Sequence, residues 1–360
     1  MSIVFKSNKA AKKYLSSSLD NKLPKGGKRV SMNFETQIYN LDGVAKKFND
    51  LISFVRGTNA GYLDKNGNYL VAGVNKERIH TSSDIGTGLL VEPSAINLLN
   101  NPSVPANQTI NTNLSYATWF VLQVFGSGTC TVEIKNSSGV VIASGVSTQI
   151  APFFYRPATS ISGVTVTVTP NNITHFQAFE NFLPRIKQTK MPTGSTSGDI
   201  VMFNKSTLSQ LLSKNNSLSI VVKKSEFKSY VDETLSVTQT GTILQIIQES
   251  NANGLFVARQ RGAATDKSML RMSLSVESSL RNTRVSKNEE TFILIFDAST
   301  VKMYTQGESI ELPITEALVL TRLYIGGGIT WSQNFEHLLK EIYIYDRKLT
   351  DLELNNLISG

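Results

Sequence analysis

The segment Glu341-Ile-Tyr-Ile-Tyr-Asp fixes the character of this chain. Ile342 and Ile344 point to one side and Tyr343 and Tyr345 to the other, which is the period of a β-strand. A short closing helix is expected directly after it. Thr350 suits its N-cap, Glu353 stands three residues on as in a capping box, and Leu352, Leu354, Leu357 and Ile358 are its apolar positions. Upstream, Arg322-Leu-Tyr-Ile reads as a strand running into the turn Gly326-Gly-Gly. Similar strand-like runs recur between polar turns along the chain, in a composition rich in Ser, Thr and Asn with 40% apolar residues. The reading is an all-β protein with enough apolar surface for real cores.

A chain of 360 residues implies two or three domains. No run approaches the 18 or so apolar residues of a membrane-spanning helix. The start, Met1-Ser-Ile-Val-Phe-Lys, lacks the apolar stretch and small-residue cleavage site of a secretory signal. Cys130 is the only cysteine, so no internal disulfide staples the fold and synthesis in a reducing cytoplasm is expected. In Gly128-Thr-Cys-Thr-Val-Glu-Ile it reads as a small buried side chain rather than a nucleophile.

The net charge of +8 is concentrated at one end. Residues 1–80 hold fourteen Lys and Arg against six Asp and Glu, which leaves the rest neutral. Lys6, Lys9, Lys12, Lys13, Lys22, Lys25, Lys28 and Arg29 face Asp20 alone. This is a basic arm on a neutral body, and two readings apply: a solvated tail, or an anchor that docks on an acidic protein surface. Nucleic acid is not the expected partner, because only Phe5 and Tyr14 interrupt the arm to stack on bases.

Two resemblances sharpen the reading. The strand, glycine turn, strand and capped helix at the C-terminus, with the hairpin Asp297 … Val301-Lys-Met-Tyr before Gln306-Gly-Glu, resemble the end of a laminin-G-like, concanavalin-type sandwich. That likeness spans residues 198–360, and it implies a domain that binds sugars or proteins and catalyses nothing. The second lies at Phe54-Val-Arg-Gly-Thr-Asn-Ala-Gly-Tyr-Leu-Asp-Lys-Asn-Gly, Val74-Asn-Lys-Glu-Arg and Gly88-Leu-Leu-Val-Glu-Pro-Ser-Ala-Ile-Asn-Leu-Leu. It is similar to a module of tailed-phage virion proteins, departing at Gly61 and Ile96. Within it, Lys65-Asn-Gly-Asn is a tight turn in which Gly67 takes positive φ. Arg56, Arg78 and Glu92 are isolated charges among apolar residues, expected as a structural clamp; a site for an anionic ligand is the alternative.

The expected layout is an arm over 1–40, a collar or linker module over 41–99, a jelly-roll or carbohydrate-binding-like sandwich over 100–187, a linker over 188–197, and the laminin-G-like sandwich over 198–360. In the first sandwich Trp119, Phe153, Phe154 and Tyr155 are either core or sugar-stacking platforms. Trp119 and Tyr155, with Trp331 in the second sandwich, are the candidate glycan contacts.

Catalytic patterns are missing from the sequence. His80, His175 and His337 have no partner at metal-ligand spacing, and no nucleophile elbow or phosphate loop occurs. The acids Glu289-Glu290 and Asp232-Glu233 are adjacent in sequence, which on a strand sends them to opposite faces. No cofactor is expected; calcium, held through Asp297 and Asp346, is the one metal considered. The resemblances imply a non-enzymatic virion component, made in the bacterial cytoplasm. Its arm would attach it to other virion proteins and its sandwiches would project, as homo-oligomers with a trimer as the guess, toward host-surface glycans. A purely architectural part and a glycan-degrading enzyme are the alternatives.

Overall fold

A computed structural model describes residues 23–24, 26–83, 85–181, 190–191, 193–212, 217–226, 239–248, 251–262, 265–272, 276–282, 289–297, 299–305, 308–313, 322–325 and 337–358. The chain is all-β, with only short helices among these residues. Its larger unit, here called the body, is two facing antiparallel sheets. The first runs Glu308–Pro313, Thr300–Thr305, Glu289–Phe296, Leu218–Glu226, His337–Tyr345, Lys28–Asn33, Ile38–Leu41, Val44–Lys46. The second runs Val276–Asn282, Thr265–Met272, Asn251–Gly262, Gln239–Gln248, Arg322–Ile325, Ile200–Phe203, Ile52–Val55. Both feed one apolar core, in which Met32, Ile220, Leu294 and Ile342 of the first sheet join Phe54, Phe203, Leu244 and Ile325 of the second.

The layout differs here from the sequence reading. The strand Lys28–Asn33, read as part of the arm, pairs residue by residue with the C-terminal strand, Val30 with Ile344 and Met32 with Ile342. Ile52–Val55, read as collar, pairs with Ile200–Phe203. The body is therefore discontinuous, made from both flanks of the chain. The sequence carries no local mark of this, because strand pairing between residues some 300 positions apart is decided by the shared core and not by neighbours.

His337–Tyr345 holds the first sheet together, and all nine of its residues are buried. One edge pairs with Leu218–Glu226. The other pairs first with Gly86–Val91 and then with Lys28–Asn33. The change of neighbour falls at a β-bulge: Glu341 faces Lys223 and Leu339 faces Lys224, which leaves Lys340 as the extra residue. Its carbonyl accepts the Phe34 N–H at 2.9 Å, and its ammonium donates to the carbonyls of Ile85 and Thr87. Gly88 is required at this crossing, since a Cβ there would lie 2.6 Å from the Leu339 carbonyl oxygen.

Ile342 and Ile344 face the sandwich core, while Tyr343 and Tyr345 lie on the outer face with Leu349, Leu354 and Leu357. The helix Asp351–Ile358 covers that face. Thr350 and Glu353 form the reciprocal cap: the Thr350 N–H donates to Glu353 at 2.9 Å, and the Glu353 N–H donates to the Thr350 hydroxyl at 3.4 Å. Leu352 departs from the expected apolar stripe and is 72% exposed.

The second unit is a sandwich inserted in the first. Gln108–Leu114, Ile161–Asn171, Thr129–Lys135 and Val141–Thr148 form one sheet; Phe153–Tyr155, Trp119–Phe125 and His175–Asn181 form the other. Its core is its own, built on Leu114, Phe120, Leu122, Ile134, Val166 and Phe176. Cys130 sits within it fully buried, and burial pushes its thiol up to about 11. The segments leading in and out pair with each other as a short ribbon, Ala95–Asn97 against Gly194–Thr196. The stretch read as a linker over 188–197 thus contains one strand of that ribbon.

The cap yields a pH prediction. The Arg347 hydrogen bonds, the largest cause, hold the Glu353 carboxyl down at about 2 from an ordinary 4.5. A depressed carboxyl stabilises the fold fully above its unfolded value, and that share is lost as pH falls from 4.5 toward about 2. Urea midpoints across that window should fall more steeply for the parent than for Glu353→Gln, which starts lower and stays flatter.

Candidate functional site

The charged residues singled out in the sequence converge where the ribbon leaves the body. The hairpin Ala60–Leu63 and Tyr69–Ala72 turns through Asp64, whose carboxylate accepts the N–H groups of Asn66 and Asn68 at 2.8 and 2.9 Å. Gly67 takes φ +78° there, as the turn requires. The strands Ile79–Ser82 and Gly86–Val91 follow, so Arg78 stands just before one strand and Glu92 just after the other. The Leu90 N–H donates to the Arg78 carbonyl at 2.9 Å and sets the two side chains face to face.

Arg78 donates to Glu92 at 2.5 Å, to the Gly61 carbonyl at 3.3 Å, and to Asp199. Arg56 donates to the carbonyls of Thr58 at 2.7 Å and Gly73 at 2.8 Å, and reaches Asp199 at 3.4 Å. Arg56, Arg78 and Asp199 are each about 1% exposed and Glu92 5%. Two guanidiniums and two carboxylates make the cluster neutral, the condition under which charges can be buried together. Burial works against the charge on Arg78, but Asp199 and Glu92 outweigh it and hold the guanidinium above its ordinary value. Burial, with the charge of Arg78 next, pushes Arg56 below its ordinary value.

Asp199 escaped the sequence reading, being 107 residues from Glu92. One signal pointed to it: Arg56 and Arg78 against Glu92 leave an uncompensated positive charge, so a second buried carboxylate was due. Asp199 also ties the two crossing strands together directly. The Glu92 N–H donates to its carboxylate at 2.9 Å, and its own N–H donates to the Glu92 carbonyl at 2.9 Å. The backbones approach closely at the same place. A Cβ on Gly198 would lie 2.9 Å from the Ser94 nitrogen, and one on Gly57 would lie 2.8 Å from the Ser197 hydroxyl. The expected clamp residues are thus brought together, and the group Arg56 and Arg78 hold is an internal carboxylate.

Other candidates lie elsewhere. Tyr155 packs with Phe153 on the core of the inserted sandwich. Trp119 packs with Phe154 against Val121, Phe179, Met191 and Ala95. Trp331 lies outside the described residues, as do Lys6, Lys9, Lys12, Lys13, Lys22 and Lys25. Lys28 is exposed with its ammonium 5.6 Å from the Tyr343 ring centre. Arg29, read as part of the anchoring arm, is engaged internally by Asp42 and by Asp346 at 3.6 Å. The two acids considered for calcium have basic neighbours, Asp346 beside Arg29 and Asp297 with Lys348 at 3.4 Å. Among the described residues no three His, Cys, Asp or Glu side chains gather as a metal site. Glu290 faces Lys224 at 3.3 Å, both buried, while Asp232 and Glu233 lie outside the described residues. His80 is buried with its Nδ1 accepting the Leu63 N–H at 3.1 Å, and burial holds its imidazole down at about 4.

The clamp makes a mutational prediction. Arg78→Ala strands two buried carboxylates and should cost about 3–5 kcal/mol of unfolding free energy. Arg78→Lys should recover only part, because an ammonium lacks the fork that reaches Glu92, Asp199 and Gly61 together. Urea denaturation of the three proteins checks this, and a loss below about 1 kcal/mol for Arg78→Ala would remove the clamp's structural role.

No protein-family model and no curated relative matches the sequence. Among solved structures the chain is similar to domain 4 of AbnA, an extracellular arabinanase from Geobacillus stearothermophilus in complex with arabinotriose. That match has 15% identity and a TM-score of 0.33, over 44% of this chain and 72% of the other. It is also similar to the Trypanosoma rangeli sialidase in complex with the inhibitor DANA, at 14% identity and TM-score 0.30 over 46% of this chain. A third likeness is to botulinum neurotoxin type C, whose cell entry depends on interaction with two ganglioside molecules, at 14% identity and TM-score 0.31 over 45% of this chain. The chain spans only 27% of that sialidase and 40% of that toxin chain. Likenesses this slight carry no argument about activity or ligand.

Proposed function

We propose that the chain is a non-enzymatic structural protein of a tailed-phage virion, attached through its N-terminal region and holding the inserted sandwich away from the attachment point. The observation that carries this is the buried neutral cluster of Arg56, Arg78, Glu92 and Asp199 at the root of the insertion. All of its charge is used to fix two strands, which is the work of a scaffold. It supports the clamp reading of the phage-like segment over residues 54–98, where three of its four members lie. The basic arm supports attachment, and with Lys28–Asn33 built into the body the anchor shortens to the residues before that strand.

Contact with host-surface glycans is the finer proposal. The packing of Trp119 and Tyr155 against cores favours the purely architectural alternative over sugar stacking at those two residues. Glu290 with its Lys224 partner lends no support to a glycan-degrading pair of acids.

Cryo-electron microscopy of intact particles beside particles carrying a deletion of residues 1–22 tests the proposal. The deletion spares Lys28–Asn33 and leaves every described strand of the body in place. The expected result is symmetric density for the parent and none for the truncated chain. Absence of the parent from particles would overturn the virion reading, and unchanged occupancy after truncation would overturn the anchor.

A further inference from the structure

A two-stranded ribbon of three residues a side is by itself a poor fixture, because nothing beside it resists bending in the direction normal to its plane. The charge cluster holds the root of the ribbon but touches only its body end. At the far end a different contact spans the gap between the two units. Lys190 lies on the returning segment just outside the inserted sandwich, and its ammonium sits between two aromatic rings. One ring is Tyr69 of the body hairpin, 4.6 Å from the ammonium; the other is Phe125 of the inserted sandwich, 5.3 Å away.

Both rings are fixed from behind. Tyr69 lies across Gly61, whose missing side chain makes the room: a Cβ there would collide with the ring. Its hydroxyl donates to the Lys190 carbonyl at 3.4 Å, so backbone and side chain of the same residue are engaged. The hairpin that carries Tyr69 is tied to the body by Arg56 at Gly73 and by Arg78 at Gly61. On the other side, Phe125 meets His175 edge-on at 5.5 Å. The next residue, Met191, is built into the insertion: its N–H donates to Gln177 at 2.8 Å, and its carbonyl accepts from Asn97 at 3.3 Å.

From this geometry we infer that Lys190 is an orientation latch, a cation held between one ring of the body and one ring of the inserted sandwich that sets the angle between them. A cation attracts the faces of both rings at once, so it resists movement of either unit away from it. The uncharged methionine side chain, one heavy atom shorter, fills most of the same space without a cation to hold both ring faces at once. The latch differs from the charge cluster in what it fixes: the cluster sets where the ribbon starts and holds the Tyr69 hairpin, and Lys190 joins that hairpin to the insertion, whatever assembly the chain belongs to.

The test measures the angle and not the stability. Spin labels are placed on the exposed positions Lys46→Cys in the body and Asn113→Cys in the insertion, with Cys130 left buried. Double electron–electron resonance then reads their separation in the full chain. The parent should give one narrow distance, Lys190→Arg should keep it, and Lys190→Met should give a broadened distribution or a second distance at an unchanged melting temperature. A narrow, unshifted distance in Lys190→Met would overturn the latch. Should that variant melt early, Phe125→Leu, which removes the insertion's ring alone, decides: broadening supports the latch and an unchanged narrow distance overturns it.

Discussion

An inserted domain imposes one condition on its host: the chain must leave and return at neighbouring points, here out of Gly86–Val91 of the first sheet and back into Ile200–Phe203 of the second. Here Arg78 meets that condition, because Glu92 is the first residue past the outgoing strand and Asp199 the last before the returning one. A single guanidinium fork bonded to both carboxylates fixes the distance between the two crossings. Such a device is an odd choice if net stability were its purpose. Desolvating four charges costs several kcal/mol per ion before the pairing repays it, and apolar side chains of similar volume often do as well. What apolar packing does not supply is direction. Arg78 accepts only partners that lie in its plane, so the cluster selects one register for the ribbon, Ala95 opposite Thr196 and Asn97 opposite Gly194.

The body places a second demand on the chain. His337–Tyr345 is bordered by strands from residues 28–33, 86–91 and 218–226, so the sheet closes only when both ends of the chain are present. Contacts of that sequence separation carry a large loop-closure entropy and place the body among the slow-forming topologies. The inserted sandwich has a core drawn wholly from its own residues and meets no such delay. It behaves as a local folding unit carried within a non-local one, and the ribbon is the boundary between them.

How much of this the sequence shows depends on whether the deciding interaction is local. The alternation of Ile342 and Ile344 with Tyr343 and Tyr345 placed a strand and both of its faces correctly, and the Thr350–Glu353 spacing placed a helix start. Both are effects within ten residues. Gln108–Leu114 passed unnoticed, because its outward residues are Thr109, Asn111 and Asn113 and only Ile110 and Leu114 mark the inward face. A strand on a solvated edge needs few apolar residues, so its period hides in polar composition. Leu352 misled in the opposite direction, a leucine at helical spacing that packing leaves outside. At the candidate site, Arg56, Arg78 and Glu92 were legible as charges out of place among apolar neighbours. Asp199 was not, since only the fold brings it across more than a hundred residues.

The two fixtures at the ribbon act by different physics, and that difference separates their roles. The charge cluster is buried and neutral, so salt screens it little and its loss exposes unpaired charge in the interior. Removing it therefore acts on folding. The Lys190 contact lies at a junction of two finished units, and a cation between rings contributes only on the order of 1 kcal/mol where solvent still reaches it. Removing it acts on an angle between units that stay folded. A chain that needed only to join two sandwiches would require the first device alone. The presence of both, at opposite ends of a ribbon three residues long, is what a fixed presentation of the inserted sandwich demands. Fixing the angle in advance also lowers the entropy lost when a neighbour is met, so any surface of the insertion that touches another molecule does so already oriented.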